Sequence, residues 1–440
     1  MEQRGTNPQN NVIAIIPARY ASTRLAGKML LDVAGKPLIV RTWEQAKKAT
    51  TVSRVIVATD DQRILEAVTS AGGEAVMTSP DHASGSDRLA EVAQGLPEGS
   101  IIVNVQGDEP LISPDTIDLT VQGLLNDPSA QIATACEPIT SVWGELLNFN
   151  VVKIAIGEKG NALYFSRSPM PFPREASLRY DGRPNEALEA EPEILAEYHR
   201  KHTGLYVYRR EYLLEFAKMP QTRLEKLEML EQLRALENGA RITVVEAAAP
   251  SIGVDTHEDL DRVRLAFGFP SISFRSGDAD DFSNVADVYL RAVQGSYRGF
   301  LPDEHLDGLT SDDRIRVHHQ RLSENVETYR LLLAEDEDKG VVGFIDYAPV
   351  RDKDGEAHIF SFYVLPEFQR QGLGGLLFRE CLRRMRRDGF RSVNLDTFEA
   401  NPFRGFYDRM GGEVIGTELH KVGEDRLPGV IYRWSDLSKI

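Results

Sequence analysis

The sequence predicts an α/β chain: a doubly wound parallel sheet over residues 1–268, then a smaller mixed α/β domain over 272–440. Three observations carry this. Apolar runs without polar alternation, such as Val12–Ile16 and Val55–Ala58, read as strands buried on both faces. Segments of helical spacing alternate with them, as in a parallel sheet with crossover helices. A Gly268-Phe269-Pro270-Ser271 break precedes a fresh strand and helix series.

In chain order, the polar residues 1–10 read as a frayed start, and Val12–Ile16 as the first strand, stopped by Pro17. Lys36-Pro37 opens a helix through Lys48, and Val55–Asp60 is the second strand. Gln62–Ala71 places Ile64, Leu65 and Val68 on one helical face and ends at Gly72-Gly73, a glycine C-cap. Glu74–Thr78 is a short strand, Ser86–Val92 a helix and Ile101–Gln106 a further strand. Residues 174–197 are charged and lack apolar periodicity, so they read as a flexible connection near the site or a subunit contact. Asp259–Phe267 closes the first domain as a helix. Beyond the break come a strand (Ile272–Arg275), a helix through Ala292, and strands over Tyr329–Ala334, Val341–Tyr347 and Ala357–Val364. A Gly-rich turn then opens a helix carrying Arg379, Arg383, Arg384, Arg386 and Arg387, which read as a solvated face or a balance to the acidic chain.

A net charge of -16 argues against a nucleic-acid partner, because phosphate-tracking surfaces are basic. Cys136 and Cys381 stand far apart without metal-ligand neighbours and read as core thiols in a reducing compartment. No leader precedes the first strand and no run approaches the ~20 residues that span a bilayer, so a cytoplasmic location without membrane contact is expected.

Two stretches of the first domain carry chemistry. The loop leaving the first strand holds Arg19, Arg24 and Lys28 among the small residues Ser22, Thr23 and Gly27, an anion-binding composition where open α/β sheets bind nucleotides. It lacks the Walker pattern. Asp108-Glu109 ends a buried strand, where a carboxylate pair can hold a divalent cation as readily as it can form a solvated turn.

Residues 16–25, 81–88 (Asp-His-Ala-Ser-Gly-Ser-Asp-Arg) and 103–110 (Val-Asn-Val-Gln-Gly-Asp-Glu-Pro) resemble the 3-deoxy-manno-octulosonate cytidylyltransferase (CMP-Kdo synthetase) family. The likeness continues through 162–167, 202–208, 224–234 and 253–256, and covers roughly residues 12–267. Tyr20-Ala21-Ser22-Thr23 replaces the Gly-Gly-Ser type of loop of the sialic-acid enzymes and favours the Kdo branch. The resemblance implies a Rossmann-like nucleotidyltransferase that joins CMP from CTP to the anomeric hydroxyl of Kdo for lipopolysaccharide synthesis, releases pyrophosphate, and forms a homodimer through this domain.

By the same resemblance, Arg19 and Lys28 hold the triphosphate, with Ala18, Arg24, Ser84, Gly85, Asp87, Arg88 and Gln106 around the nucleotide. Asp108 and Asp255 bind Mg²⁺. Gln106, Arg167, His202, Tyr206, Glu231 and Gln232 line the sugar pocket, with Arg167 suited to a bidentate grip on the sugar carboxylate. Glu225, Glu228 and Glu231 equally fit one solvated helix face, and His202 beside Arg200 and Lys201 an ordinary surface histidine. Position 26 is Ala where the family usually has Pro, which loosens the loop.

In the second domain Gln369-Arg370-Gln371-Gly372-Leu373-Gly374-Gly375 leaves a strand and opens a helix, a pyrophosphate cradle by backbone N–H groups and helix dipole. With Asn401 and Tyr407 it resembles the GNAT acetyltransferase family over roughly 272–434. That likeness implies acetyl-CoA at 369–375, Asn401 on the cofactor arm, and Tyr407 as proton donor to the departing thiolate. Tyr407 also fits a packed helix tyrosine. The acceptor and the general base stay unassigned. An amino-Kdo analogue or a phosphonate is the alternative acceptor for the cytidylyl group, and a CoA-binding sensor the alternative for the second domain.

Overall fold

β1 (Val12–Ala18) is buried along nearly its whole length, with Ile15 and Ile16 fully inaccessible. Each such side chain contributes about 1.5–3 kcal/mol relative to exposure. This is a computed structural model; it describes residues 11–21, 25–82, 84–351, 353–423 and 425–439, and divides into the units Met1–Val263 and Arg264–Ile440.

In the first unit β1 leads through α1 (Leu38–Ala46) to β2 (Arg54–Thr59), α2 (Gln62–Ser70), β3 (Glu74–Met77), α3 (Gly85–Gln94), β4 (Ile101–Asn104), α4 (Pro114–Asn126) and β5 (Ile132–Pro138). β6 (Lys153–Ile156) and β7 (Ala162–Ser166) form a ribbon. Next come α5 (Arg174–Arg179), α6 (Pro184–Ala190) and α7 (Pro192–Tyr198). The unit closes with β8 (Arg200–Arg209), α8 (Arg210–Phe216), α9 (Arg223–Glu228), α10 (Gln232–Glu237), β9 (Ile242–Glu246) and the start of α11 (His257–Gly268). The sheet runs β9-β5-β8-β4-β1-β2-β3, with β6 also paired to β8. β1 is parallel to both neighbours, whereas β8 is antiparallel to β4 and β5. The chain winds outward from β1 through β2 and β3, then returns to β4 on the other side of β1. That reversal makes the carboxyl ends of β1 and β4 the switch point where ligands bind.

Residues 174–197, expected as a flexible connection, form α5–α7. Pro184 and Pro192 start two of these helices, where the missing N–H costs nothing, and Leu188 and Leu195 are buried with Ile139, Val142 and Leu146. Each has at most seven residues, too few to display a periodicity.

The second unit contains β10 (Ile272–Ser276), α12 (Phe282–Ser296), α13 (Asp303–Asp307), α14 (Ser311–Glu324), β11 (Arg330–Asp336), β12 (Gly340–Pro349), β13 (Glu356–Val364), α15 (Leu373–Arg387), β14 (Ser392–Phe398), α16 (Gly405–Arg409), β15 (Glu413–Val422) and β16 (Asp425–Trp434). Its sheet runs β10-β11-β12-β13-β14-β16-β15, antiparallel except between β13 and β14. Those two pair only from Glu356↔Ser392 to Ile359↔Leu395 and then part. The expected break lay after α11, at Gly268–Ser271. The division falls inside that helix, because Leu265 packs against the second unit's core of Phe344, Leu377 and Phe378. The arginines of α15 are not simply solvated: Arg383, Arg384 and Arg387 pair with Glu380 at 3.8, 2.9 and 3.2 Å. Both cysteines are buried and free.

Two local features yield predictions. Leu25 to Lys28 is a turn closed by Lys28 N–H donating to Leu25 C=O at 3.2 Å, with Gly27 at φ 62° and Ala26 exposed and not among the positive-φ residues. That is a type II turn, whose second position favours Pro. Ala26→Pro is expected to stabilise the fold by about 0.5–1 kcal/mol, with the KM for CTP lowered or unchanged; thermal melts and pyrophosphate kinetics check it, and a large loss of activity excludes this turn. Glu225 and Arg234 form a pair at 2.6 Å with both side chains almost wholly buried. Glu225→Ala strands the guanidinium and is expected to cost about 3 kcal/mol, which lowers Tm by roughly 6–12 °C.

Candidate functional site

The switch point brings together charges from three distant segments. Lys28 Nζ lies 2.6 Å from Asp108 Oδ2 and 3.2 Å from Asp255 Oδ1, with the ammonium itself almost buried. Backbone and hydroxyl bonds hold this meeting. Val254 N–H donates to the Asp108 carbonyl at 2.8 Å, and Thr42 Oγ1 of α1 donates to the Gly107 carbonyl at 2.9 Å. Asp259 accepts from the backbone N–H of Asp255 and Thr256, which locks the entry to α11. At Gly107 a Cβ would stand 2.8 Å from the Pro17 carbonyl, so only glycine lets the two strand ends approach this closely. Two carboxylates converging on one point suit a hard divalent cation, which takes oxygen ligands and completes its shell with substrate phosphate and water.

Around this centre the expected nucleotide residues take differing places. Ala18 is buried at the end of β1, and Arg19 donates from Nη2 to the His82 carbonyl at 2.9 Å. Ser84 and Asp87 form a capping box on α3: Ser84 Oγ accepts from Asp87 N–H at 3.2 Å, and Asp87 accepts from Ser84 N–H at 2.9 Å. Gly85 is the first residue of that helix, its Cα face 3.8 Å from Pro17 for an added Cβ. Arg88, expected to face the nucleoside, is instead fully buried, with Nη2 2.7 Å from Asp60 Oδ2 and Nη1 on the Thr78 hydroxyl. Its position on α3 turns it toward the ends of β2 and β3. Arg24, with Ser22 and Thr23, lies outside the described residues, as does Ala83.

The expected sugar residues gather on the far side of β4. Gln106 packs beside Gly204, which sits in the β-bulge of β8 between Thr203 and Tyr206. A Cβ at Gly204 would meet Glu109 Oε1 at 3.1 Å and Gln106 Cγ at 3.3 Å. His202 and Tyr206 follow on β8 with ring centroids 5.1 Å apart, and His202 also meets Phe165 edge-on. The surface-histidine alternative fails. Burial pushes the His202 imidazole down to about 3, so it is neutral at working pH and shares a hydrogen bond with Thr134 Oγ1. The solvated-face alternative for the three glutamates fails too. Glu225 holds Arg234; Glu228 accepts from Ser166 Oγ at 2.6 Å and from Arg167 N–H; Glu231 accepts from Ser86 Oγ at 2.8 Å. Burial raises the Glu231 carboxyl. Arg167 donates to the Glu228 and Phe149 carbonyls, and Gln232 is buried at the head of α10.

Glu109, read from the sequence as the other half of a cation-holding pair with Asp108, takes a different place from that of its neighbour, which pairs with Lys28. Burial and the adjacent Asp108 push its carboxyl up to about 7, and it accepts from Ser251 Oγ at 3.1 Å. Glu228 carried no signal beyond its spacing, because its partners Ser166 and Arg167 lie some sixty residues earlier.

In the second unit the cradle leaves β13 and opens α15. Arg370 has φ 59° and Gly372 has φ 101°; no side chain caps the helix, and Gly375 N–H donates to the Gly372 carbonyl at 3.0 Å. Gln369 donates to the Val364 carbonyl at 2.8 Å and Gln371 to that of Glu367 at 2.6 Å, which pins the loop to the strand end. Leu373 is buried, and Gly374 and Gly375 would bring a Cβ within 3.4 Å of Phe362 and Arg379. Asn401, expected on the cofactor arm, instead spends its amide locally: it donates to Thr397 Oγ1 at 2.8 Å and accepts from Phe403 N–H at 2.9 Å. Tyr407 packs against Phe378, Tyr432 and Trp434. Burial, with Tyr363 and Asp396 nearby, raises its hydroxyl, so it keeps its proton at neutral pH.

Residues 13–242 match the family model described as Cytidylyltransferase, and residues 295–411 match the Acetyltransferase (GNAT) family. The chain is 52% identical over 253 residues to the 3-deoxy-manno-octulosonate cytidylyltransferase of Trichlorobacter lovleyi, covering 58% of this chain and 97% of that protein. The protein of the same name from Geobacter sulfurreducens is also 52% identical over 253 residues, with 58% and 98% covered. A solved structure of CMP:2-keto-3-deoxy-manno-octonic acid synthetase complexed with CTP matches at 40% identity and TM-score 0.51, over 58% of this chain and 98% of that one. Strand order, switch-point charges and matches of this length lead to one assignment: the chain belongs to the 3-deoxy-manno-octulosonate cytidylyltransferase family through its first unit, and carries a GNAT acetyltransferase domain after it.

Proposed function

We propose that the first unit transfers CMP from CTP to the anomeric hydroxyl of Kdo and releases pyrophosphate. The observation that carries this is the convergence of Lys28, Asp108 and Asp255 at the switch point. Phosphoryl transfer depends on positioning and charge neutralisation more than on covalent chemistry from the protein. Lys28 and Arg19 hold the triphosphate, with Arg24 supporting the loop, and the N-terminus of α3 at Ser84-Gly85 faces the nucleotide. Asp108 and Asp255 hold Mg²⁺, which when bound screens phosphate charge and polarises the reacting oxygens. Neutral His202, Tyr206, Gln106, Gln232, Glu231 and the Arg167 guanidinium orient the sugar acid. The sugar hydroxyl oxygen then attacks the α-phosphorus, the hydroxyl proton passes to solvent water, and the bond to pyrophosphate breaks. A second reading of the acceptor, an amino analogue of Kdo, is favoured by the acetyltransferase domain in the same chain.

The second unit is proposed to bind acetyl-CoA at 369–375 and to use Tyr407 as the acid for the departing thiolate. Among the described residues no helix is long and apolar enough to cross a membrane, which supports a cytoplasmic enzyme. We take the exposed side chains of Trp143, Phe149, Phe172 and Leu178 as candidates for the contact of a homodimer through the first unit.

Asp108→Ala and Asp255→Ala are each expected to abolish pyrophosphate release from CTP, Mg²⁺ and Kdo while leaving the circular-dichroism melt unchanged. Substantial Mg²⁺-dependent turnover in either variant removes that residue from the ligand set. Running the wild type with Kdo against 8-amino-Kdo separates the two acceptors, and turnover with neither rejects both. In the second unit Tyr407→Phe is expected to lower acetyl transfer to amines by about 10²–10⁴-fold with the Kd for acetyl-CoA unchanged; an unaltered rate returns Tyr407 to a packing role.

A further inference from the structure

His358, Asp396, Glu418 and His420 stand on β13, β14 and β15 of the second unit, where β13 and β14 part. They lie on one face of the sheet, since His358 is in register with Asn394, Asp396 with Ile431 and Glu418 with Gly429. His358 Nε2 is 3.3 Å from Asp396 Oδ1, His420 Nδ1 is 3.6 Å from Asp396 Oδ2, and His420 Nε2 is 3.6 Å from Glu418 Oε1. Ligand atoms of Asp396, Glu418 and His420 all fall within 4.8 Å of one another. We propose that Asp396, Glu418 and His420 form a binding site for a divalent transition-metal ion of the zinc class, with His358 supporting the Asp396 carboxylate from behind.

Magnitudes favour it. A tetrahedral ion with bonds of about 2.0–2.1 Å sets its ligand atoms roughly 3.3 Å apart. One ligand atom each of Asp396, Glu418 and His420 already falls within 4.8 Å of the others, so side-chain adjustments of about 1.5 Å or less close the shell.

Three further features point to a ligand rather than to a chance cluster. His420 reaches Asp396 by crossing β16 over Gly429: its Nε2 lies 2.1 Å from where a Cβ at Gly429 would stand. Only glycine there leaves space for the ring. The same Nε2 is shielded from solvent and has no hydrogen-bond partner. His358, for its part, holds a ligand carboxylate in place, its Nε2 3.3 Å from Asp396 Oδ1. Glu356 accepts from Asn394 Nδ2 at 2.8 Å, which turns Asn394 Oδ1 toward His358. A carbonyl oxygen can only accept, so Nδ1 carries a proton, and the Asp396 carboxylate beside Nε2 favours a proton there too, which raises the imidazole above its usual range.

Charge completes the case. Among the described residues the ion-pair partners of Asp396 and Glu418 are these imidazoles, with no Lys or Arg. Two carboxylates without a lysine or arginine among these partners suit a dication. Their side chains are 31% and 42% exposed, so the ion has a path in. The donor chemistry also separates this site from that of the first unit. Imidazole nitrogens with carboxylates prefer zinc-class ions, whereas the oxygen-only pair Asp108 and Asp255 prefers Mg²⁺.

The test uses the full chain, stripped with a chelator and kept in excess Mg²⁺, titrated with CoCl₂ and then ZnCl₂. One Co²⁺ per chain with the visible absorption of a nitrogen-ligated tetrahedral ion, displaced by one Zn²⁺, is expected. His420→Ala, Asp396→Asn and the exposed variant Glu418→Gln should each weaken binding at least tenfold, and Asn394→Ala about 10–100-fold. Gly429→Ala should weaken it by displacing the His420 ring. Each variant is first melted metal-free; Glu418→Gln and Asn394→Ala keep the test decisive if a β14 or β15 variant fails to fold. Absence of stoichiometric binding under excess Mg²⁺, or binding indifferent to His420→Ala and Glu418→Gln, overturns the proposal.

Discussion

The first unit depends on keeping one ammonium almost dry between two carboxylates. Lys28 is 7% exposed, and an unpaired charge at that depth is strongly destabilising. Its partners come from the loop after β4 and the loop before α11, so the pairing is possible only when the sheet has wound and α11 has returned. The backbone bond from Val254 to the Asp108 carbonyl holds those two loops at one height. Gly107 supplies a close approach that a side chain would prevent, and Gly27 a left-handed turn residue at φ 62°. A site of this kind is assembled by topology and then tuned by local turns.

The sugar side follows from a second constraint, the bulge in β8. By shifting register between Thr203 and Tyr206 it faces His202 and Tyr206 toward the cluster around Phe165 and leaves Gly204 beside Gln106 and Glu109. The segment from α9 to α10 then closes over it through Glu228 and Glu231, whose oxygens bind Ser166, Arg167 and Ser86. In the second unit the equivalent constraint is the short parallel pairing of β13 with β14. Its end at Ile359 and Leu395 opens the sheet, and the glycine turn before α15 leaves that helix without a side-chain cap.

Much of the fold was legible because long apolar strands and helices have periods that survive in one dimension. β1, β2, β4, β12 and β13 read directly as apolar runs, and the glycine turn before α15 read as a phosphate cradle. α5–α7 did not, since helices of six or seven residues owe their stability to burial of Leu188 and Leu195 rather than to a pattern. β15 and β16 passed unnoticed as well: most of β15 is exposed on an edge, so its sequence lacks the apolar alternation that marks a strand. At the site, family resemblance supplied residue types and positions, while burial decided what each does. Arg88 became a buried partner of Asp60, Asn401 a turn residue, and Glu225 an internal ion pair.

By itself, then, the sequence determined an α/β chain in two parts, a cationic loop after the first strand, an Asp-Glu pair at the end of a later strand, and a glycine-rich turn near residue 372. Those are properties of neighbouring residues. Tertiary structure alone decided that Lys28 meets Asp108 and Asp255 together, that His202 is neutral, that Glu109 titrates near 7, and that His420 crosses Gly429 toward Asp396. Each of these depends on desolvation or on contacts between residues far apart in the chain, and neither is written in local order.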